Sequence, residues 1–342
     1  MQLKTITALV LTAFATAAFA DKVNLKSGSF LTGKVGAIDG STIAFESDDL
    51  GEITIEIEKI ASIEDSETMH VVQYDDFSTK ELALTVKDGV ITLDDKKFDE
   101  EGVKKIDPVE ETWHGSVNVG FNATRGNTYD NNWSVIANLS RRWERDRFTG
   151  DVGYYYAESG TTGGRDKQKT EDRIVASAQH DHFWTQKFYH FENGKYEKDK
   201  IQLLDRRIRL GLGLGYQWAE DSLIEKVGSW DFAQEAGANW IEEKFDEYDS
   251  DTDDDFAAIM YAHHLKFRPI FKEDVEFFHN LEYLPQVNDF ERYLITTDVG
   301  VTTKLIYNWD LLAKIEWDYN SRPAMSRKRS DYRYIVGLGY KW

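Results

Sequence analysis

From Trp113 to the end of the chain, apolar and aromatic side chains alternate with polar ones over repeated segments, each with the period of two expected of a strand that is wet on one face. The last segment is the clearest. Tyr332, Tyr334, Val336, Leu338, Tyr340 and Trp342 share one parity, and Arg333, Gly337, Gly339 and Lys341 the other. Counting back, the same reading predicts twelve strands: residues 116–123, 133–143, 148–156, 173–182, 187–198, 207–218, 230–240, 256–267, 275–283, 293–301, 311–319 and 332–342. The sixth sets Ile208, Leu210, Leu212, Leu214, Tyr216 and Trp218 against Arg207, Arg209, Gly211, Gly213, Gly215 and Gln217. Aromatic residues sit near many segment ends, where interfacial girdles belong. Links after even segments are mostly short, such as 144–146 and 184–186. Links after odd segments include the polar stretches 159–170, 243–254 and 320–330. The expected fold is therefore all-β: a transmembrane, antiparallel, up-and-down barrel of about twelve strands, closed because lipid cannot satisfy a free strand edge. The fifth segment fits worst. If Phe188, Gly194 and Tyr196 face lipid, so do His190 and Glu192, which implies either a bulge or a wall that contacts something other than lipid.

The first hundred residues read differently. Lys4, the apolar run from Ile6 to Phe14 and the small-x-small triplet Ala18-Phe19-Ala20 predict a cleaved signal peptide over residues 1–20. Residues 21–107 show short strands and tight turns, with a turn signal at Asp39-Gly40 and strict alternation of Ile53, Ile55 and Ile57. Val71 to Tyr74, Leu82 to Val86 and Val90 to Leu93 are expected as further strands of this domain or of a second copy. The run from Leu25 to Val35, L-K-S-G-S-F-L-T-G-K-V with its turn glycines, resembles the small Sm-like or SH3-like barrels. Pro108 marks the expected boundary, so the domains read as 1–20, 21–107 in the periplasm, and 113–342 in the outer membrane.

Composition then removes several functions. Cysteine is absent, which excludes disulfides, thiolate catalysis and thiolate metal sites. A net charge of -20 argues against nucleic acid as a partner, including the RNA that Sm-like relatives bind. The acidic loop offers Asp249, Asp251 and Asp253 at calcium-loop spacing. However, Asp254 replaces the turn glycine and Met260 the bidentate glutamate, leaving only weak metal candidates and a solvated loop as the plainer reading. Among the histidines, His180 and His190 are expected opposite one another and His263 near His279, as packing or interface residues. By parity, Arg207, Arg209, Glu235, Glu276, Glu282, Lys314, Glu316, Asp318 and Arg333 line the lumen. There they either pair across a narrow barrel and plug it or line a water-filled path.

Several stretches together resemble a known family. They are W-H-G-S-V-N-V-G-F-N-A-T-R-G-N-T from Trp113, L-S-R-R-W-E-R-D-R from Leu139, N-G-K-Y-E-K-D from Asn193, L-G-L-G-L-G-Y-Q-W from Leu210, F-F-H-N-L-E-Y-L-P from Phe277 and the terminal R-Y-I-V-G-L-G-Y-K-W. They look like the salt-induced outer-membrane proteins, a domain family of unknown function, with Glu192 where a small residue is expected. The resemblance implies an outer-membrane barrel with a part in osmotic or salt stress. Tyr340 and Trp342 match the terminal aromatic signal read by the barrel-assembly machinery, and lipopolysaccharide is the expected surrounding. No cofactor is expected. Function is expected to be non-enzymatic: a small-solute pore, an envelope protein, or a membrane anchor for a periplasmic binding module. A lipid hydrolase is the least favoured reading, because glutamate stands at position 192 where a serine nucleophile beside His190 would be needed.

Overall fold

The computed structural model describes residues 21–39, 42–64, 70–74, 79–94, 96–97, 103–106, 112–124, 128–143, 145–161, 165–224, 227–246, 254–272, 274–324 and 327–342. The predicted signal peptide, Gly40 of the turn signal and Pro108 lie outside them. The chain divides into two compact units, Met1–Val109 and Glu110–Trp342.

In the first unit, eleven short strands form one sheet: β1 (Asp21–Leu25), β2 (Phe30–Asp39), β3 (Thr42–Ser47), β4 (Gly51–Glu56), β5 (Ile60–Glu64), β6 (His70–Tyr74), β7 (Thr79–Leu82), β8 (Leu84–Lys87), β9 (Val90–Leu93), β10 (Lys96–Lys97) and β11 (Val103–Ile106). The order is β10-β9-β8-β5-β1-β2-β11-β6-β7, with β3 and β4 added as a hairpin on β2. The sheet is continuous, so the strands after residue 70 complete the first module and do not make a second copy. The stretch 82–86, expected as one strand, is split between β7 and β8. Ala83 leaves both ladders, and its N–H donates to the Asp94 side chain at 3.0 Å. Gly28 supplies the left-handed residue of the β1–β2 turn, at φ +89, and donates to Leu25 O at 2.9 Å. Alternating apolar residues from across the sheet meet in one core around Val23, Ile38, Ile43, Phe45, Ile60 and Ile106. Phe45 is completely buried there. Phe45→Ala is expected to cost about 3–5 kcal/mol and to expose residues 21–109 of the full-length protein to protease at lower denaturant, leaving the barrel resistant.

The second unit is a closed antiparallel barrel of twelve strands: β12 (His114–Thr124), β13 (Thr128–Arg142), β14 (Asp146–Thr161), β15 (Arg165–Phe183), β16 (Phe188–Asp199), β17 (Leu204–Ile224), β18 (Gly228–Phe245), β19 (Asp254–Pro269), β20 (Val275–Gln286), β21 (Asp289–Ile306), β22 (Trp309–Asn320) and β23 (Ser330–Lys341). Each strand pairs with its neighbours in sequence, and β12 closes on β23 through Val117–Tyr340 and Val119–Leu338. The seam ends where Gly115 and Trp342 exchange backbone hydrogen bonds at 3.0 and 3.1 Å. Each predicted segment lies within one of these strands or within a residue or two of its ends.

The expected long link 159–170 is instead mostly strand. β14 runs to Thr161 and β15 starts at Arg165, with Glu158 facing Lys169 and Ser159 facing Gln168. Both faces of this extension are polar, so the alternation that marks a half-buried strand is missing from its sequence. The links 246–253 and 321–329 are the longest, and both fall at the end of the barrel reached by odd links.

Parity sorts the wall as the pattern requires. On the outward face, Leu210 is 56% and Tyr334 77% exposed, while their interior-facing neighbours Arg209 and Arg333 are buried. No helix among the described residues is long and apolar enough to cross a membrane.

Candidate functional site

The interior of the barrel holds a dense set of ion pairs among the described residues. Arg209 of β17 makes a bidentate bond to Glu282 of β20, with Lys195 of β16 at 3.9 Å from the same carboxylate. Arg173 of β15 binds Glu197 of β16 at 2.9 Å and Asp318 of β22 at 3.2 Å. Arg333 of β23 bonds to Asp318 and reaches Glu171 of β15. The hydroxyl of Tyr155, on β14, donates to Glu316 of β22 at 3.0 Å. β17 and β20, β15 and β22, β15 and β23, and β14 and β22 are not neighbours in the sheet, so these bonds can form only by crossing the lumen. Planar guanidinium groups suit such bridges, because two parallel N–H donors grip one carboxylate.

The other predicted lumen residues join the same system. Arg207 lies 2.6 Å from Glu243 and 2.8 Å from Glu197. Lys314 lies 2.6 Å from Glu316. Glu235 accepts from Tyr189 and Gln179, each at 2.9 Å. Glu276 pairs with Arg268 at 2.8 Å, near the wall. Parity reasoning omitted Arg173, Glu197, Glu171 and Tyr155, although Arg173, Glu197 and Tyr155 occupy the interior parity of segments already identified.

The lumen is unevenly filled. Toward the end with the longer links, Ala324 packs with Leu204 and Phe245, and Gln202 donates to Asp331 at 2.6 Å. Arg207, Arg209, Glu282, Asp318, Arg329 and Arg333 line a cavity of about 70 Å³ there, room for a few ordered waters. Toward the short-turn end, Phe183, Tyr189, Asp181 and Gln217 are buried inside, whereas Asn138, Asp151, His264 and Lys266 have interior parity yet are exposed, so the interior is open around these four.

The outer wall has its own polar groups. The residue facing His190 is His182, not His180, which faces Glu192. A four-residue connection after Phe183 sets this register, two positions away from the expected one. The pairing runs unbroken from Phe183–Tyr189 to Arg173–Asp199, so no bulge lies at Glu192 and its side chain points outward. His263 and His279 are hydrogen-bonded at 3.1 Å, and His279 also meets Thr297 at 3.1 Å. The triplet His114-Gly115-Ser116 has a histidine–serine spacing, but it has interior parity and Ser116 is bonded to Asn138 at 3.1 Å. No group of three or more potential ligands among the described residues is placed to hold a metal ion. Asp249, Asp251 and Asp253 lie outside the described residues.

An apolar outer face, a closed strand order and a charge-paired interior define a membrane-spanning up-and-down β-barrel. Within that class, residues 117–342 match the family model described as protein of unknown function, DUF481, and the chain belongs to that family. No curated protein matches the chain. Among solved structures, it is similar to the translocator domain of the autotransporter NalP from Neisseria meningitidis, at 11% identity and a TM-score of 0.38, covering 67% of this chain and 87% of that one. An outer-membrane channel from Pseudomonas putida F1 is similar at 10% identity and 0.38, over 69% and 96%. The transport unit of the autotransporter AIDA-I from Escherichia coli follows at 10% and 0.31, over 68% and 90%.

Proposed function

We propose that this protein is a non-enzymatic outer-membrane barrel, shut at rest, that tethers its N-terminal β-domain in the periplasm as a binding module. The observation that carries this reading is the set of ion pairs joining strands on opposite sides of the lumen. A solute would have to break several of these contacts to pass, the bidentate Arg209–Glu282 pair among them. Buried pairs are screened far less by salt than exposed ones, so the closure persists at high ionic strength. A barrel without a standing leak suits an envelope under osmotic or salt stress. The strongly bent N-terminal sheet, with its single core, supports an SH3-like module. The chain enters the barrel at the short-turn end, which in such barrels faces the periplasm. Residues 1–20 would be removed on export, the barrel-assembly machinery would read Tyr340 and Trp342, and lipopolysaccharide would surround the opposite end.

Purified full-length protein in planar bilayers is expected to give no steady conductance at low voltage, in dilute or concentrated potassium chloride. Steady porin-sized steps in the unmodified protein would overturn the closed reading. They would favour the second one, a small-solute pore, which the open space around Asn138, Asp151 and His264 supports.

A further inference from the structure

β14, β15 and β16 carry ionisable side chains on the outward face, where the adjacent β17 carries Leu210, Leu212 and Leu214. His180 lies 3.0 Å from Asp146 and 3.1 Å from Glu192. His182 lies 2.9 Å from Asp146, and His190 lies 3.5 Å from Glu192. The direction of these groups is fixed. Tyr189 and Phe191, the strand neighbours of His190 and Glu192, are completely buried in the interior, and the Glu192 side chain is 57% exposed on the other side. Phe188 and Tyr196 bracket His190 and Glu192 along β16, so these two groups stand between the aromatic positions of their strand and not beyond them.

A carboxylate facing hydrocarbon costs free energy that the imidazoles of this wall offset only in part, because half of the Glu192 side chain stays uncovered. Beside it, the register aligns Gly150 with Ala178 and Ala178 with Gly194, with Ala176 next on the same face of β15. These small side chains make a shallow shelf over which another protein wall can come close, the feature that favours packing between spanning elements in lipid. The patch also carries both kinds of partner, imidazoles and carboxylates. An isologous contact places each surface against its own rotated image, so the imidazoles of one copy can meet the carboxylates of the other.

We infer that this wall is the contact through which two copies of the chain pair in the membrane, with His182 and His190 of each opposing Asp146 and Glu192 of the other. The inference rests on the barrel being inserted in a membrane, which the experiment reports separately. The chain has no cysteine, so Ala178→Cys introduces a single thiol at the centre of the shelf. Under mild oxidation in isolated membranes, this variant is expected to form a disulfide-linked species of twice the chain mass. Val299→Cys, at an exposed position on β21 across the barrel, is expected to stay monomeric. Adding Asp146→Leu and Glu192→Leu to Ala178→Cys should abolish the dimer while the folded, heat-modifiable band in the membrane fraction persists. Gly194→Cys serves as a second position if Ala178→Cys does not fold. Folded, membrane-borne protein without a dimer at either position overturns the pairing, as does equal dimer at Val299→Cys or a cross-linked species of another mass. Recovery of the protein outside the membrane fraction would instead sink the membrane reading itself.

Discussion

Replacing Arg209 with alanine is expected to destabilise the folded barrel by about 3–5 kcal/mol, read as a lower urea midpoint for unfolding from lipid vesicles. Arg209 is buried on β17 and grips Glu282 with two parallel donors across the lumen. Its loss leaves the Glu282 carboxylate in the interior paired with the more distant Lys195, at 3.9 Å. The cost arises from the orphaned charge more than from the missing bond, because desolvation of Glu282 remains while its counter-charge is gone. The double substitution Arg209→Met with Glu282→Leu removes both charges and keeps most of the volume, so it should recover much of the loss. If the single substitution changes stability by less than about 1 kcal/mol, as exposed ion pairs do, the pair is solvated and the lumen is open at that level. The same samples therefore test the closed barrel independently of conductance.

The wall of the barrel was legible in the sequence and its interior was not, for one physical reason. Alternation reports which face a side chain takes, and facing lipid imposes the same requirement on every strand. Tyr332 to Trp342 and Ile208 to Trp218 therefore announced themselves. Parity also placed Arg207, Arg209, Glu282, Asp318 and Arg333 inside. It could not say which partner each would meet, since a bond from Arg173 to Asp318 depends on barrel diameter and strand stagger. Those are properties of the closed sheet and not of either strand. The β14–β15 extension was missed because both of its faces are polar and no periodicity distinguishes it from a loop. His190 was paired with the wrong histidine because the turn at 184–187 sets the register, and a shift of one residue in its ends moves the partner by two.

The glycines of β17 carry information that alternation alone does not decode. Gly211, Gly213 and Gly215 have interior parity, where larger side chains would fill a barrel of this size. Residues of the neighbouring strands occupy that space instead. A Cβ at Gly213 would lie 2.5 Å from the ring of Phe191, 2.5 Å from the backbone oxygen of Ala236 and 2.7 Å from the Cα of Gly237. A Cβ at Gly237 would in turn lie 3.1 Å from the same ring. Phe191 of β16 therefore lies across both glycines, completely buried, and covers the inner surface of β17 and β18. Gly213→Val is expected to abolish assembly, seen as loss of the folded, heat-modifiable species in the membrane fraction. Ring motion could relieve the clash with Phe191, but the clash with Ala236 is with backbone and would require the two strands to separate. Gly194→Ala provides the contrast on the outer face. Its new methyl would meet nothing closer than Leu210 at 3.6 Å, an ordinary contact, and folding should be unchanged. Normal folding of Gly213→Val would mean that Phe191 does not lie against β17, and that the packing of this side of the lumen is wrong.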